Sequence, residues 1–230
     1  MPVVADARVL TTLPLFQNLP DAQIQQLNAA LRRRQFLAGV DIITAEQPGE
    51  VMYIILSGTV KIYAEQADGS SVILAILGAG EIFGEMSILE NIGRSATVVT
   101  LEESTILWMD RLTFEASLRD IPGMSQNLVR IFSRRLRLAN AQIQALATLD
   151  VFGRVARQIL AFAHEYGQQQ PNGVLIPLRL TQSDLAGMVG ASRVRVNQVL
   201  VFYKQQSYIS VDQDARITVF NQAALAARCQ

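Results

Sequence analysis

The sequence predicts an α+β chain made of an N-terminal antiparallel β-barrel or jelly roll, a long helix, and a C-terminal winged helix-turn-helix. Three observations point there. Residues 36–110 hold short β-rich runs divided by turn residues, and a helical rhythm follows Pro122 for more than twenty positions. The charge also divides unevenly: residues 1–120 carry 8 Lys+Arg against 15 Asp+Glu, and residues 121–230 carry 12 against 5. The halves are thus −7 and +7 while the whole is neutral. Such a split suggests two modules, the basic one facing a polyanion.

Taken in order, residues 7–34 read as helical, with Ile24, Leu27 and Leu31 on one face. The runs VMYIIL, TVKIYAE, SVILAIL, SATVVT and TILWMD then read as strands, with QPGE, SG, ADGSS and GAGE between them. ADGSS is a hairpin signal, and Trp108 reads as barrel core. In the long helix Phe132, Leu136, Ala139, Ile143 and Leu146 step by 4, 3, 4 and 3, the rhythm of a coiled-coil seam. Leu128, Ile131 and Leu138 give it a second apolar face. A helix that must bury two stripes suggests a partner helix, hence a dimer. VFGRVARQILAFAHEY (151–166) reads as another helix, GQQQPNG as an exposed loop and LIPLRL as a short strand.

Composition removes several function classes. No apolar run reaches the ~18 residues of a membrane-spanning helix, and MPVVADARVLTTLPLF lacks the order of a signal peptide. A cytoplasmic location without a membrane partner is expected. The single Cys229 rules out an intrachain disulfide and a four-cysteine zinc or iron–sulfur site. The single His164 leaves no haem axial pair. No metal, haem or iron–sulfur cofactor is expected. Without a Ser/His/Asp set or a Walker loop, neither is an enzyme.

The segment LTQSDLAGMVGASRVRVNQVLVFYKQ carries the sharpest local signal. Thr181 and Asp184 stand at capping-box spacing, Gly190 sits where a tight turn needs positive φ, and Ser192 can cap a second helix. Leu185, Met188 and Val189, then Val196, Leu200 and Tyr203, form the buried faces. Arg193, Val194, Asn197, Gln198 and Lys204 stand opposite, with Arg195 beside them. Arginine reads guanine and Asn or Gln reads adenine in a major groove, so this is a candidate DNA-recognition face. The hairpin at 208–220 would be the wing.

In the acidic half, GAGEIFGEMSILENIGRSATV stands out. Backbone N–H groups at the start of a one-turn helix, together with Arg94, can cradle one phosphate. Arg94 is expected to be partly exposed without ligand. A carboxylate there, Glu85, disfavours phosphate but can accept hydrogen bonds from a sugar hydroxyl. A surface Arg–Glu pair on a barrel loop remains the alternative at this point.

FGEMSILENIGRSATV resembles the phosphate cassette of cyclic-nucleotide-binding domains. GMVGASRVRVNQVL resembles the helix-turn-helix of the Crp/Fnr regulators, and RRLRLANAQIQALATLDVFGRVARQIL the dimer helix and hinge of the same family. The resemblance implies an effector domain at 1–121, a dimerisation helix and hinge at 122–150 and a DNA-binding domain at 151–230. It also implies that Gly84, Glu85, Met86, Arg94 and Ser95 hold the sugar-phosphate, with Ile62 and Leu74 as apolar walls and Arg135 balancing Glu85. Asn140 can face the base, whereas Ala139 stands where the family offers a hydroxyl. Thr181, Ser192, Arg193, Val194, Arg195, Asn197 and Gln198 would form the DNA contact. Val194 and Gln198 depart from the usual glutamate and arginine. The implied partners are a second copy of the chain, a double-stranded operator with two half-sites, and RNA polymerase. Cyclic AMP is the implied effector, with cyclic GMP, cyclic di-GMP or no effector as the alternative.

Overall fold

In the computed structural model, residues 7–65 and 71–229 are described. The N-terminal stretch is not one helix. It breaks into α1 (Arg8–Thr11), a 3-10 turn at Pro14–Phe16 and α2 (Asp21–Ala30), with Pro14 and Pro20 opening the later two. The expected helix through 34 is corrected at Leu31, which turns extended (ψ 153°) and drops its side chain into the core. Arg32–Phe36 is then the edge strand β1.

The five β-rich runs fold as expected into β3 (Val51–Ser57), β4 (Val60–Glu65), β5 (Ser71–Leu77), β7 (Thr97–Thr100) and β8 (Ser104–Asp110), and the short strands β2 (Asp41–Ile43) and β6 (Ile82–Phe83) join them. They form two four-stranded sheets, ordered β1-β8-β3-β6 and β2-β7-β4-β5. The expected ADGSS hairpin lies outside the described residues except for Ser71. A short helix α3 (Glu85–Leu89) interrupts the strands, and α4 (Arg111–Asp120), which periodicity did not reveal, follows β8. The Asp110 carboxylate caps α4 by accepting from the Thr113 N–H at 2.8 Å.

Strand alternation explains why β3 and β8 read as unbroken apolar runs. Met52, Ile54, Leu107 and Met109 face a helical layer that includes Leu15, Phe16, Phe114, Met124, Leu128 and Ile131. Ile55 and Ile106, with Phe83 of their own sheet, face the second sheet, where Ile43, Val60 and Val98 meet them. A strand buried on both faces has no polar side to alternate with. Trp108 departs from the core assignment: it is half-buried, with the Arg32 guanidinium 5.0 Å from its ring centroid.

α5 (Pro122–Thr148) is one continuous helix of 27 residues. Among the described residues, 7–65 and 75–137 make one compact unit, and 71–74 and 138–229 make another. The boundary therefore falls within α5, because its first half is part of the barrel's own core.

In the second unit α6 (Val151–Tyr166) buries Val155, Ala156, Ile159 and Phe162. Its Asp150 cap accepts from the Gly153 N–H at 2.8 Å. Gln168–Gln170 (β9) pairs antiparallel with Gly173–Ile176 (β10), so the expected GQQQPNG loop is instead a hairpin arm. The expected LIPLRL strand stops at Ile176, since Pro177 lacks the N–H to continue the ladder. The helix-turn-helix follows as α7 (Gln182–Val189) and α8 (Arg193–Gln205), then β11 (Ile209–Val211), β12 (Ile217–Val219) and α9 (Gln222–Ala226). Their sheet runs β11-β12-β10-β9. Tyr203 is fully buried and donates its hydroxyl to the Phe152 carbonyl at 2.8 Å.

Candidate functional site

The cassette is built where β6 turns into α3. Gly84 makes that turn at φ 79°, and a Cβ there would lie 2.8 Å from Arg94 Nη1 and 3.0 Å from the Val51 carbonyl. Only glycine meets both conditions. Arg94 returns from the far end of the loop and is 8% exposed. The expectation of a partly exposed arginine is thus overturned. Its Nη1 donates to the Gly84 carbonyl at 2.7 Å and to Ser87 Oγ at 2.8 Å, and Nη2 donates to the Val51 carbonyl at 2.7 Å. These acceptors compensate a guanidinium withdrawn from water. Burial still lowers its pKa below the ordinary arginine value.

Glu85, the first residue of α3, is 1% exposed. Burial pushes its carboxyl pKa above the usual value, and the Arg135 charge offsets part of that rise. Arg135 Nη1 donates to Glu85 Oε1 at 2.8 Å. Glu85 and Arg94 are buried and Arg135 is partly buried, which replaces the alternative of a surface Arg–Glu pair. A buried guanidinium beside helix-start N–H groups, with a carboxylate one residue after the turn, can pair an anion with a hydroxyl donor.

The remaining cassette residues are less closely held. Ser95 is exposed and Met86 is half-exposed, while Ile62 packs partly against the inter-sheet core. Leu74 and Asn140 are exposed side chains of β5 and α5. Sequence reasoning missed Ser87, the Val51 carbonyl, Glu81 and Arg134. It also missed Gly49, where a Cβ would stand 2.1 Å from Ser87 Oγ. The sequence GEMS held a signal for Ser87, a hydroxyl one helical turn after a glycine cap, but none for the Val51 carbonyl, which lies 43 positions from Arg94.

The helix-turn-helix follows its sequence closely. The Thr181 and Asp184 capping box is formed, Gly190 adopts φ 60°, and Ser192 Oγ accepts from the Arg195 N–H at 3.2 Å. The Thr181 and Ser192 hydroxyls thus serve as helix caps. Arg193, Val194, Arg195, Asn197, Gln198 and Lys204 are exposed. Val194 is 69% exposed, an apolar side chain held in water on a polar face. Two amides are engaged: Asn197 Oδ1 accepts from Gln182 Nε2 at 2.8 Å, and Gln198 Oε1 accepts from Arg195 Nη1 at 3.1 Å.

Comparison with known proteins matches the same two regions. The Cyclic nucleotide-binding domain matches residues 33–120, and the Crp-like helix-turn-helix domain matches residues 153–228. The chain is 34% identical over 204 residues to the CRP-like cAMP-activated global transcriptional regulator of Mycobacterium tuberculosis, covering 89% of this chain and 91% of that one. This chain belongs to the Crp/Fnr family. It is also 32% identical over 187 residues to the Cyclic AMP receptor protein of Thermus thermophilus, covering 81% and 83% of the two chains. Among solved structures, the c-di-GMP responsive global regulator CLP of Xanthomonas campestris matches with TM-score 0.69 and 25% identity, over 87% of this chain and 99% of that one. The Crp/Fnr chain described here is accordingly a transcription regulator, not an enzyme, with a cyclic nucleotide-binding domain and a DNA-binding helix-turn-helix.

Along α5 of this regulator, Leu136 and Ile143 are 63% and 65% exposed, and Ala139 and Leu146 are exposed with them. Val129, one heptad before Leu136, extends that stripe and was missed in the sequence. Phe132 differs from its expected role, because it is partly buried against the helical layer of the barrel. No helix among the described residues is long and apolar enough to cross a membrane.

Proposed function

We propose that the chain is a homodimeric regulator whose DNA binding is controlled by a cyclic nucleotide, with cyclic AMP as the effector. The observation that carries this reading is the buried pairing around Gly84, Arg94 on one side and Glu85 with Arg135 on the other. Arg94 and the first N–H groups of α3 would take the cyclic phosphate, with Ser95 beside them, and Glu85 the ribose 2′-hydroxyl. Gly84 and Met86 would bound the sugar, while Ile62 and Leu74 would flank the base.

Residues 1–121 would then be the effector domain, 122–150 the dimer helix and hinge, and 151–230 the DNA-binding domain. The exposed α5 stripe of Leu136, Ala139, Ile143 and Leu146 supports pairing with a second copy, since a heptad-spaced apolar line is unstable in water. The recognition helices of two copies would read half-sites ~34 Å apart. Such a regulator acts in the cytoplasm, with RNA polymerase as its further partner. The relatives described as cAMP-activated support cyclic AMP over other effectors.

A second reading keeps the regulator and changes the effector to cyclic di-GMP or cyclic GMP. It is favoured by Ala139, whose methyl offers no hydrogen bond to a base, and by likeness to a c-di-GMP responsive regulator. The deciding experiment selects binding sites from randomised DNA at fixed salt, with no nucleotide, cyclic AMP, cyclic GMP or cyclic di-GMP. Enrichment of a two-fold symmetric site with cyclic AMP alone is expected. Enrichment that ignores cyclic AMP, or a site with one half only, overturns the reading.

A further inference from the structure

Two carboxylates, not one, face the arginines of α5. Glu81, immediately before β6, is 5% exposed, and its oxygens accept from Arg134 and from Arg135. Arg135 consequently divides its fork. Nη1 donates to Glu85 Oε1 at 2.8 Å, while Nη2 donates to Glu81 Oε2 at 3.1 Å and to the Ile82 carbonyl. One guanidinium straddles β6, with an acidic residue at each end of that strand.

This division matters because a guanidinium prefers to close two parallel N–H groups on a single carboxylate. Here Glu81 withholds one of them, and Glu85 takes a single-point ion pair through Oε1. A carboxylate has about four acceptor positions, so Glu85, which accepts from Arg135 and from its own backbone N–H, keeps capacity for another donor. Removing the Glu81 charge would leave Nη2 with the Ile82 carbonyl alone, a neutral acceptor that competes less well than a carboxylate, and so would favour Arg135 turning onto Glu85. A hydroxyl arriving there would then compete with a buried two-point ion pair.

We propose that Glu81 is a specificity-determining positioning residue: by holding half of Arg135, it keeps the Glu85 carboxylate open to a sugar hydroxyl. The inference rests on the cyclic-nucleotide reading above and adds a residue outside the cassette motif. Arg134 has the opposite role in this balance. It competes with Arg135 for Glu81, so its loss leaves Glu81 to hold Arg135 more firmly.

Titration calorimetry of the full chain with cyclic AMP and with 2′-deoxy cyclic AMP separates these roles, because only the first carries the hydroxyl. The parent protein is expected to prefer cyclic AMP by about tenfold or more, the worth of one hydrogen bond to a charged acceptor. Glu81→Gln is expected to shrink that preference to within about threefold, by weakening cyclic AMP while leaving the deoxy analogue nearly unchanged. Arg134→Gln is expected to keep or raise the preference, and it decides the matter alone if Glu81→Gln does not fold. A preference retained in Glu81→Gln, an equal weakening of both nucleotides, or a fall in Arg134→Gln overturns the proposal and leaves the cyclic-nucleotide reading standing. A parent protein that binds neither nucleotide overturns that reading, and this one with it.

Discussion

The cassette and the recognition helix both depend on arginine, yet they hold it in opposite ways. Arg94 is buried and hydrogen-bonded to three acceptors from the turn, α3 and β3. Arg193 is exposed at the first position of α8. The first is tied into the fold by its hydrogen bonds, and the second projects from the start of its helix. On the proposed reading, binding chemistry and stability are coupled in the cassette and separable on the recognition face.

Mutation can break that contrast. Arg94→Leu should lower unfolding free energy by ~3–5 kcal/mol, since it strands buried acceptors and places an apolar chain among carbonyls. Urea denaturation measures this, and it should also abolish cyclic-nucleotide binding. A fully stable variant that merely loses nucleotide would make Arg94 equivalent to a surface arginine. Gly84→Ala should have a smaller effect of ~1–3 kcal/mol, from the positive φ and the contact with the Arg94 guanidinium.

On the other side, Gln198→Arg should leave stability within ~0.5 kcal/mol. It should shift preference at one base pair toward guanine by ~1–3 kcal/mol, because arginine pairs with guanine where glutamine pairs with adenine. Val194 offers a methyl-binding surface where a carboxylate would have accepted from cytosine, so the parent half-site should be richer in A·T at those steps. Recovery of an unchanged site from randomised DNA with the variant would mean that α8 docks in another way. The engagement of Gln198 Oε1 by Arg195 makes Arg195→Ala a finer probe, expected to loosen discrimination at that same base pair.

The smallest effect concerns pH. Glu85 has its folded pKa raised by burial, so its protonated form is the one the fold tolerates better. Stability from this group is fully present below the ordinary carboxylate pKa and is lost as pH rises through the raised value. Denaturation of the parent and of Glu85→Gln across that range should show the parent losing ground to the variant as pH increases. The reverse slope would mean that Arg135 outweighs burial.

Local patterns were legible without any structure. The Thr181 capping box, the Gly190 turn and the Ser192 cap all rest on contacts within three or four residues, and they stand where spacing placed them. The strands from Val51 to Asp110 were equally readable, because hydrophobic runs and turn residues need no distant partner to be recognised. Helical rhythm likewise placed α5, although it could not tell that Phe132 belongs to the barrel and Val129 to the exposed stripe. The run past Leu31 was misread for a related reason: periodicity continues through the arginines, while pairing with β8 converts them to a strand.

By itself the sequence determined the main barrel strands, the long helix, the two modules, the helix-turn-helix and the residue types of the cassette. Tertiary structure alone decided how the charges are kept. Arg94 meets Val51 across 43 positions and Arg135 meets Glu81 across 54, whereas the pairing of Arg135 with Glu85 was already implied by the family resemblance. No local signal specifies such pairs, because a buried charge takes its partners from whatever strand or helix the core brings beside it. Chain spacing therefore names the candidate binding groups, and packing in the folded barrel sets their ion pairs.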